Sequence, residues 1–128
     1  MRRRRGPRRG GGRFVCALRA VIPTPRTRIV RDVVLALVRI HVLHHACEAP
    51  FFGVEMMGEL RRHGYRIGPG TLYPLLHAME EAGVLAGHDA VVDGKARRYY
   101  RATKVGERLL RELRAKLAEL VHEVMGTR

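Results

Sequence analysis

Hydrophobic and polar positions change period along this chain, and the changes mark its elements. Residues 32–46 read as a helix that is apolar on more than one face, through Val33, Val34, Leu37, Val38, Ile40, Val42 and Leu43. β-Branched side chains weaken that reading. A run of about fifteen residues is nevertheless long for a strand and too short and charged for a membrane span. A helix apolar all round needs cover on two sides, here its own domain on one and, at Leu37, a partner subunit on the other. Glu48-Ala49-Pro50 breaks the pattern, and a second short helix follows over residues 52–63, with Gly64 as its C-terminal cap. Pro69 opens a third helix, at the position where a missing N–H costs nothing. Leu72, Leu75, Leu76, Met79 and Gly83 share one narrow arc of it and form a core stripe. Pro74 removes an internal hydrogen bond and predicts a local irregularity.

Residues 84–88 and 97–102 alternate as strands, with Asp93-Gly94 as a turn signal between them. The stretch between these strands is longer than a tight hairpin needs, so its tip is expected to project into solvent. Thr103 is suited to cap a final helix. There Leu110, Leu113, Leu117, Leu120 and Val124 are spaced three and four apart, a heptad seam, and Leu109, Val121 and Met125 widen it. Glu107–Arg111, Arg108–Glu112 and Glu112–Lys116 add support one turn apart. At about 33 Å this helix is longer than a small domain needs to cover itself. The order helix, helix, helix, strand, strand, long helix predicts a mainly α fold with a small β-wing: a winged helix-turn-helix followed by a dimerisation helix.

Charge sharpens the division into regions. The 128 residues carry a formal +13, from 25 Lys and Arg against 12 Asp and Glu. Ten of the arginines fall in residues 1–28, which contain no acidic residue. The expected organisation is therefore a basic, disordered leader over 1–28, a DNA-binding winged helix-turn-helix over 29–102 and a dimerisation helix over 103–128. The leader's apolar patch, residues 14–18, is shorter than the roughly 7–15 apolar residues of a secretory signal. Two cysteines, Cys16 and Cys47, build neither a disulfide framework nor a metal-finger spacing. A reduced, cytoplasmic protein without a membrane partner is the expectation.

The third helix exposes no Arg, Lys, Asn or Gln, the usual base readers; it offers Thr71, Tyr73 and His77. Pro69 and Gly70 allow its N-terminus to approach a phosphate closely. The wing is richer, with Lys95, Arg97, Arg98 and Arg101 interleaved with Tyr99 and Tyr100. Alternation puts Arg97, Tyr99 and Arg101 on one face and Arg98 and Tyr100 on the other. Taken alone such a strand is more often a plain solvated face, and its place beside a helix-turn-helix is what favours double-stranded DNA as the partner. His41, His44, His45 and Cys47 form a candidate metal cluster, although histidines at a buried helix end more commonly pack or complement its dipole. No metal and no cofactor is expected. No paired carboxylates, activated nucleophile or phosphate loop is present, so the chain does not read as an enzyme.

Several runs together resemble the PadR family of transcriptional regulators. They are Phe52-Gly53-Val54-Glu55, Gly70-Thr71-Leu72-Tyr73-Pro74-Leu75-Leu76, Glu80-Glu81-Ala82-Gly83-Val84-Leu85, and residues 94–103 with Gly106 beyond. The resemblance covers residues 31–125 and is closest to the short form with a single C-terminal helix. It implies a homodimeric repressor on a palindromic operator, released by a small hydrophobic or aromatic effector at the dimer interface. Two departures stand out: Val54 where the family has Tyr or Phe, and His77 where it often has Lys. The alternatives are a winged-helix protein-interaction module without DNA, or a metal-responsive regulator using His41, His44, His45 and Cys47.

Overall fold

The computed structural model describes residues 24–126, and the expectation of a disordered leader falls almost wholly outside them. Among the described residues four helices and three strands follow in order: α1 (Pro25–Glu48), β1 (Phe51–Phe52), α2 (Gly53–Arg62), α3 (Pro69–Glu81), β2 (Leu85–Val92), β3 (Lys95–Ala102) and α4 (Lys104–Met125). The fold is mainly α with a small three-stranded antiparallel sheet in the order β1-β3-β2. The chain divides into two units whose boundary falls after Leu35, within α1.

α1 starts seven residues before the Asp32 that charge and periodicity single out. The cause is local: the Thr24 hydroxyl oxygen accepts the Thr27 N–H at 3.2 Å, and Pro25 occupies the first helical position. Within the second unit α1 buries Val38, Val42, Leu43 and Ala46. These lie on one face, the side covered by the chain's own domain; among the described residues the other face has no matching cover.

Glycine ends α2 and α3 in the same way. After α2 the Gly64 N–H bonds the Arg61 carbonyl at 3.0 Å and the Tyr65 N–H reaches Leu60 at 3.0 Å, with Gly64 at φ 88°. After α3, Gly83 takes φ 78°, its N–H bonds Glu80 at 2.9 Å, and the Val84 N–H reaches Met79 at 3.1 Å. Both are Schellman closures, which need a residue tolerant of positive φ. Gly83 therefore terminates α3 rather than extending its core stripe, which consists of Leu72, Leu75, Leu76 and Met79, all buried. Pro74 sits inside an uninterrupted α3. The carbonyl it leaves without a donor, that of Gly70, lies on an exposed turn where water can serve it.

The wing is a tight hairpin, not the open loop expected. Strand pairing runs from Leu85↔Ala102 to Val92↔Lys95, leaving Asp93 at φ 51° and Gly94 at φ 74° as the whole connection. Two consecutive left-handed residues match the twist of paired strands, which is why Asp-Gly closes so short a turn. Phe51 and Phe52 add a third strand beside Tyr100 and Tyr99. Two residues are too few for alternation to reveal.

α4 is fastened to the domain at its start. The Thr103 hydroxyl accepts the Gly106 N–H at 3.1 Å and donates to the Gly83 carbonyl, while the Thr103 N–H bonds Val84 at 3.1 Å. Gly106 lies so close under the Val84 carbonyl that a Cβ there would collide with backbone. The core gathers Val38, Val42 and Leu43, the α3 stripe, Met56 and Leu60, Phe51, Val84, Leu85, Tyr100 and Leu110. Among the described residues no helix is long and apolar enough to cross a membrane.

Candidate nucleic-acid interface

α2, the turn over residues 63–68 and α3 form the helix-turn-helix. α2 begins when the Glu55 carboxylate accepts the Phe52 N–H at 3.3 Å. It places Gly53 directly against the Tyr73 ring; a Cβ on Gly53 would come within 2.5 Å of that ring. Tyr73 is thus half-used: its ring lies across α2, yet 41 % of the residue is open to solvent. Pro69, Gly70 and His77 are exposed and Thr71 is partly so. His77 is not an unengaged reader, because its Nε2 lies 3.2 Å from Glu81 one turn on.

Sequence reasoning passed over a second cationic feature. Arg61 and Arg66 flank the turn and line an open depression with Gly64, Ile67 and Gly68, the residue that precedes α3. Among the described residues neither arginine is ion-paired. Two guanidinium groups beside a helix N-terminus combine positive charge with the partial charge of the helix end. The signal was available in the sequence as three arginines bracketing the cap glycine.

The wing separates its basic residues by face. Outward, Phe52, Tyr99 and His88 form one cross-strand row: Phe52 meets Tyr99 edge-on at 5.5 Å, and His88 stacks on Tyr99 at 5.6 Å. The Arg97 guanidinium lies over the Phe52 ring, 4.5 Å from its centroid, a cation–π contact that orders the side chain. Lys95 and Arg101 share this face by alternation. Inward, Phe51 stacks on Tyr100 at 5.9 Å. Arg98 crosses the sheet over Gly87, donates to Glu80 of α3, and bonds Asp89 of β2 at 3.1 Å. The second Glu80 oxygen is buried and has no hydrogen-bond partner among the described residues, so Arg98 supplies the compensating charge. Those two carboxylates hold the Arg98 guanidinium above its ordinary value. Of the nine residues read as DNA-facing, eight lie on exposed or partly exposed positions of α3 and the outer wing; Arg98 instead joins the wing to α3.

The seam residues divide similarly. Leu110 is 4 % exposed and belongs to the domain's own core. Leu113 and Leu117 are half-buried, while Leu120 (55 %) and Val124 (69 %) are open, together with Leu37 on α1. The histidine and cysteine group sorts differently from the sequence grouping. His41 and His45 approach His63 at the end of α2, and Cys47 belongs to neither cluster of potential ligands among the described residues. Burial raises the Cys47 thiol above its usual range, with Glu107 adding to the effect.

The sequence profile of the Transcriptional regulator PadR-like family matches residues 42–112, more than half of the chain. A relative from Mycobacterium tuberculosis, Transcriptional regulator Rv3488, is 50 % identical over 97 residues, 76 % of this chain and 91 % of that protein. A solved PadR family transcriptional regulator from Eggerthella lenta is 35 % identical and superposes with a TM-score of 0.61 over 79 % of this chain and 96 % of its own. A PadR-like transcription factor from Bacteroides fragilis shares the fold at a TM-score of 0.68 and 24 % identity, over 77 % and 97 % of the two chains. With α2, α3 and the wing inside the matched span, this chain belongs to the PadR-like family of transcriptional regulators.

Proposed function

We propose that the chain is a sequence-specific DNA-binding repressor that works as a homodimer on a palindromic operator. The observation that carries this reading is the coupling of α3 to the wing: Arg98 ties Glu80 to β3 and so braces the strand that carries the cationic outer face against α3. In this reading Thr71 and Tyr73 face the major groove, with His77 beyond them. Pro69 and Gly70 admit a phosphate at the start of α3, beside Arg61 and Arg66. Lys95, Arg97 and Tyr99 meet the adjacent backbone or minor groove. Arg98 acts by positioning them.

The dimer reading rests on α4, whose far half carries Leu120, Val121, Val124 and Met125 exposed along one stripe. Paired through that stripe, two copies would present their α3 helices to half-sites roughly 34–36 Å apart, one turn of DNA. Release by an apolar effector is supported by a cavity of about 390 Å³ lined by Ile40, Leu43, Met79, Val84, Leu109 and Leu113, a volume within the usual range for small ligands. The chain is then a binding protein and not an enzyme, with a basic leader over residues 1–28 that adds charge but no sequence readout.

The test is a gel-shift titration at about 150 mM salt against DNA flanking the chain's own gene, where nonspecific polycation binding fades. The expected result is a discrete complex with two chains per site, resistant to competitor DNA. A chain beginning at Thr24 should keep that discrimination. Binding that vanishes with salt, or equal affinity for unrelated DNA, would leave the winged helix as a protein-interaction module.

A further inference from the structure

A cluster of imidazoles stands where α1 meets the end of α2, away from the outer face of the wing. His41 and His45 are one turn apart on α1, and His63 caps α2. One ring nitrogen from each lies within 4.8 Å of the other two. The His41 and His63 rings are 4.9 Å apart and tilted by 35°, and the Tyr65 ring meets His41 edge-on at 5.2 Å. Glu59, one turn before His63, brings its Oε1 to 3.2 Å from His63 Nε2 and 3.7 Å from His45 Nε2, while its Oε2 accepts from Arg62 at 3.2 Å.

Three imidazoles and one carboxylate are the donor set of a zinc-type site. At a Zn–N length of about 2.0–2.1 Å, donors around a tetrahedral ion stand about 3.3 Å apart, so small ring rotations would close this group. His45 is already oriented for it. Its Nδ1 faces the Glu48 carboxylate at 3.6 Å while its Nε2 faces Glu59 at 3.7 Å. A carboxylate behind a ligating histidine is the usual outer-shell support of such sites. The neighbouring group of His44, His45 and Glu48 is less suited, because His44 Nδ1 lies 3.3 Å from the Arg114 guanidinium.

We propose that His41, His45 and His63, with Glu59 completing the tetrahedron, bind one divalent ion of the Zn²⁺ class per chain. Cys47 and His44 are not ligands. The ion fastens α1 to the C-terminal cap of α2, the first residue of the helix-turn-helix turn. The inference does not depend on DNA binding.

The test uses the full chain stripped of metal by chelation, then titrated with Zn²⁺ by calorimetry and with Co²⁺ by absorption spectroscopy. One ion per chain is expected, with the visible bands of tetrahedral Co²⁺ and no thiolate charge-transfer band. Zn²⁺ should raise Tm by about 5 °C or more at saturating concentration. His41→Ala and His63→Ala should each weaken binding at least about tenfold, and Glu48→Gln about 10–100-fold, while His44→Ala and Cys47→Ser bind as the parent does. Far-ultraviolet dichroism without metal checks that each variant folds, and His63→Gln replaces His63→Ala if the latter does not. No stoichiometric uptake, a thiolate band, or unchanged binding in a folded His63 variant would each overturn the site.

Discussion

Residues 97–100 run Arg-Arg-Tyr-Tyr, so each face of β3 receives one arginine and one tyrosine, yet the two faces employ them differently. Tyr100 is buried against Phe51, and the Arg98 guanidinium, though itself exposed, is held to Glu80 and Asp89. Tyr99 and Arg97 pack on Phe52 and His88, along the outer side of the sheet. Side-chain type therefore says little about role here; the parity of the position decides it. A one-residue slip of β3 would exchange the interior for the candidate interface.

The largest test of this contrast is Tyr100→Ala against Tyr99→Ala. Removing the buried ring should cost about 3–5 kcal/mol of unfolding free energy. Removing the outer ring should cost about 1 kcal/mol, in line with a single aromatic pair. Urea denaturation measures both, and equal losses would erase the distinction between the faces.

The arginines come next. Arg98→Ala leaves the part-buried Glu80 carboxylate, one oxygen of which is shielded from solvent, without its cation, so Tm should fall measurably, by less than for Tyr100→Ala. Arg97→Ala should leave Tm nearly unchanged while operator affinity drops about tenfold and the salt slope flattens by about 0.9 for each phosphate no longer neutralised. The comparison fails if Arg97→Ala unfolds the chain, or if Arg98→Ala weakens binding with Tm intact.

Smallest of all is Asp89→Asn. Asp89 is the open end of the Arg98 pair, with 78 % of its side chain exposed, and exposed ion pairs contribute little. Thermal melting should not distinguish this variant from the parent, whereas Glu80→Gln should lower Tm measurably. A larger effect from Asp89 would show that the wing is held from β2 instead of from α3.

Much of this arrangement was legible in the sequence. The α3 stripe, the Thr103 cap and the Asp93-Gly94 turn follow from spacing and residue type, and alternation separated Arg97 from Arg98 correctly. It did not tell which face was inside, because both carry an arginine and a tyrosine; the deciding partners, Glu80 and Phe51, come from elsewhere in the chain. Thr24 and Pro25 form a helix-start signal hidden by the surrounding arginines. β1 escaped because two residues carry no period. His63 escaped grouping with His41 and His45 because no helical spacing links residues on different helices. Only the packing of α2's end against α1 brings them together.

Gly106 has a consequence far from its own position. With no side chain there, α4 settles against the Val84 carbonyl, and Thr103 clasps the turn after α3. The direction in which α4 departs is therefore set by a hinge four residues long, Thr103 to Gly106, built from backbone and one hydroxyl. In the proposed dimer that direction becomes a dimension of the DNA: it sets how far apart, and at what rotational phase, two copies of α3 stand. An Ala at this hinge would act as a misgraded ruler. It would favour operators with altered spacing between half-sites while every residue that reads a base remained in place.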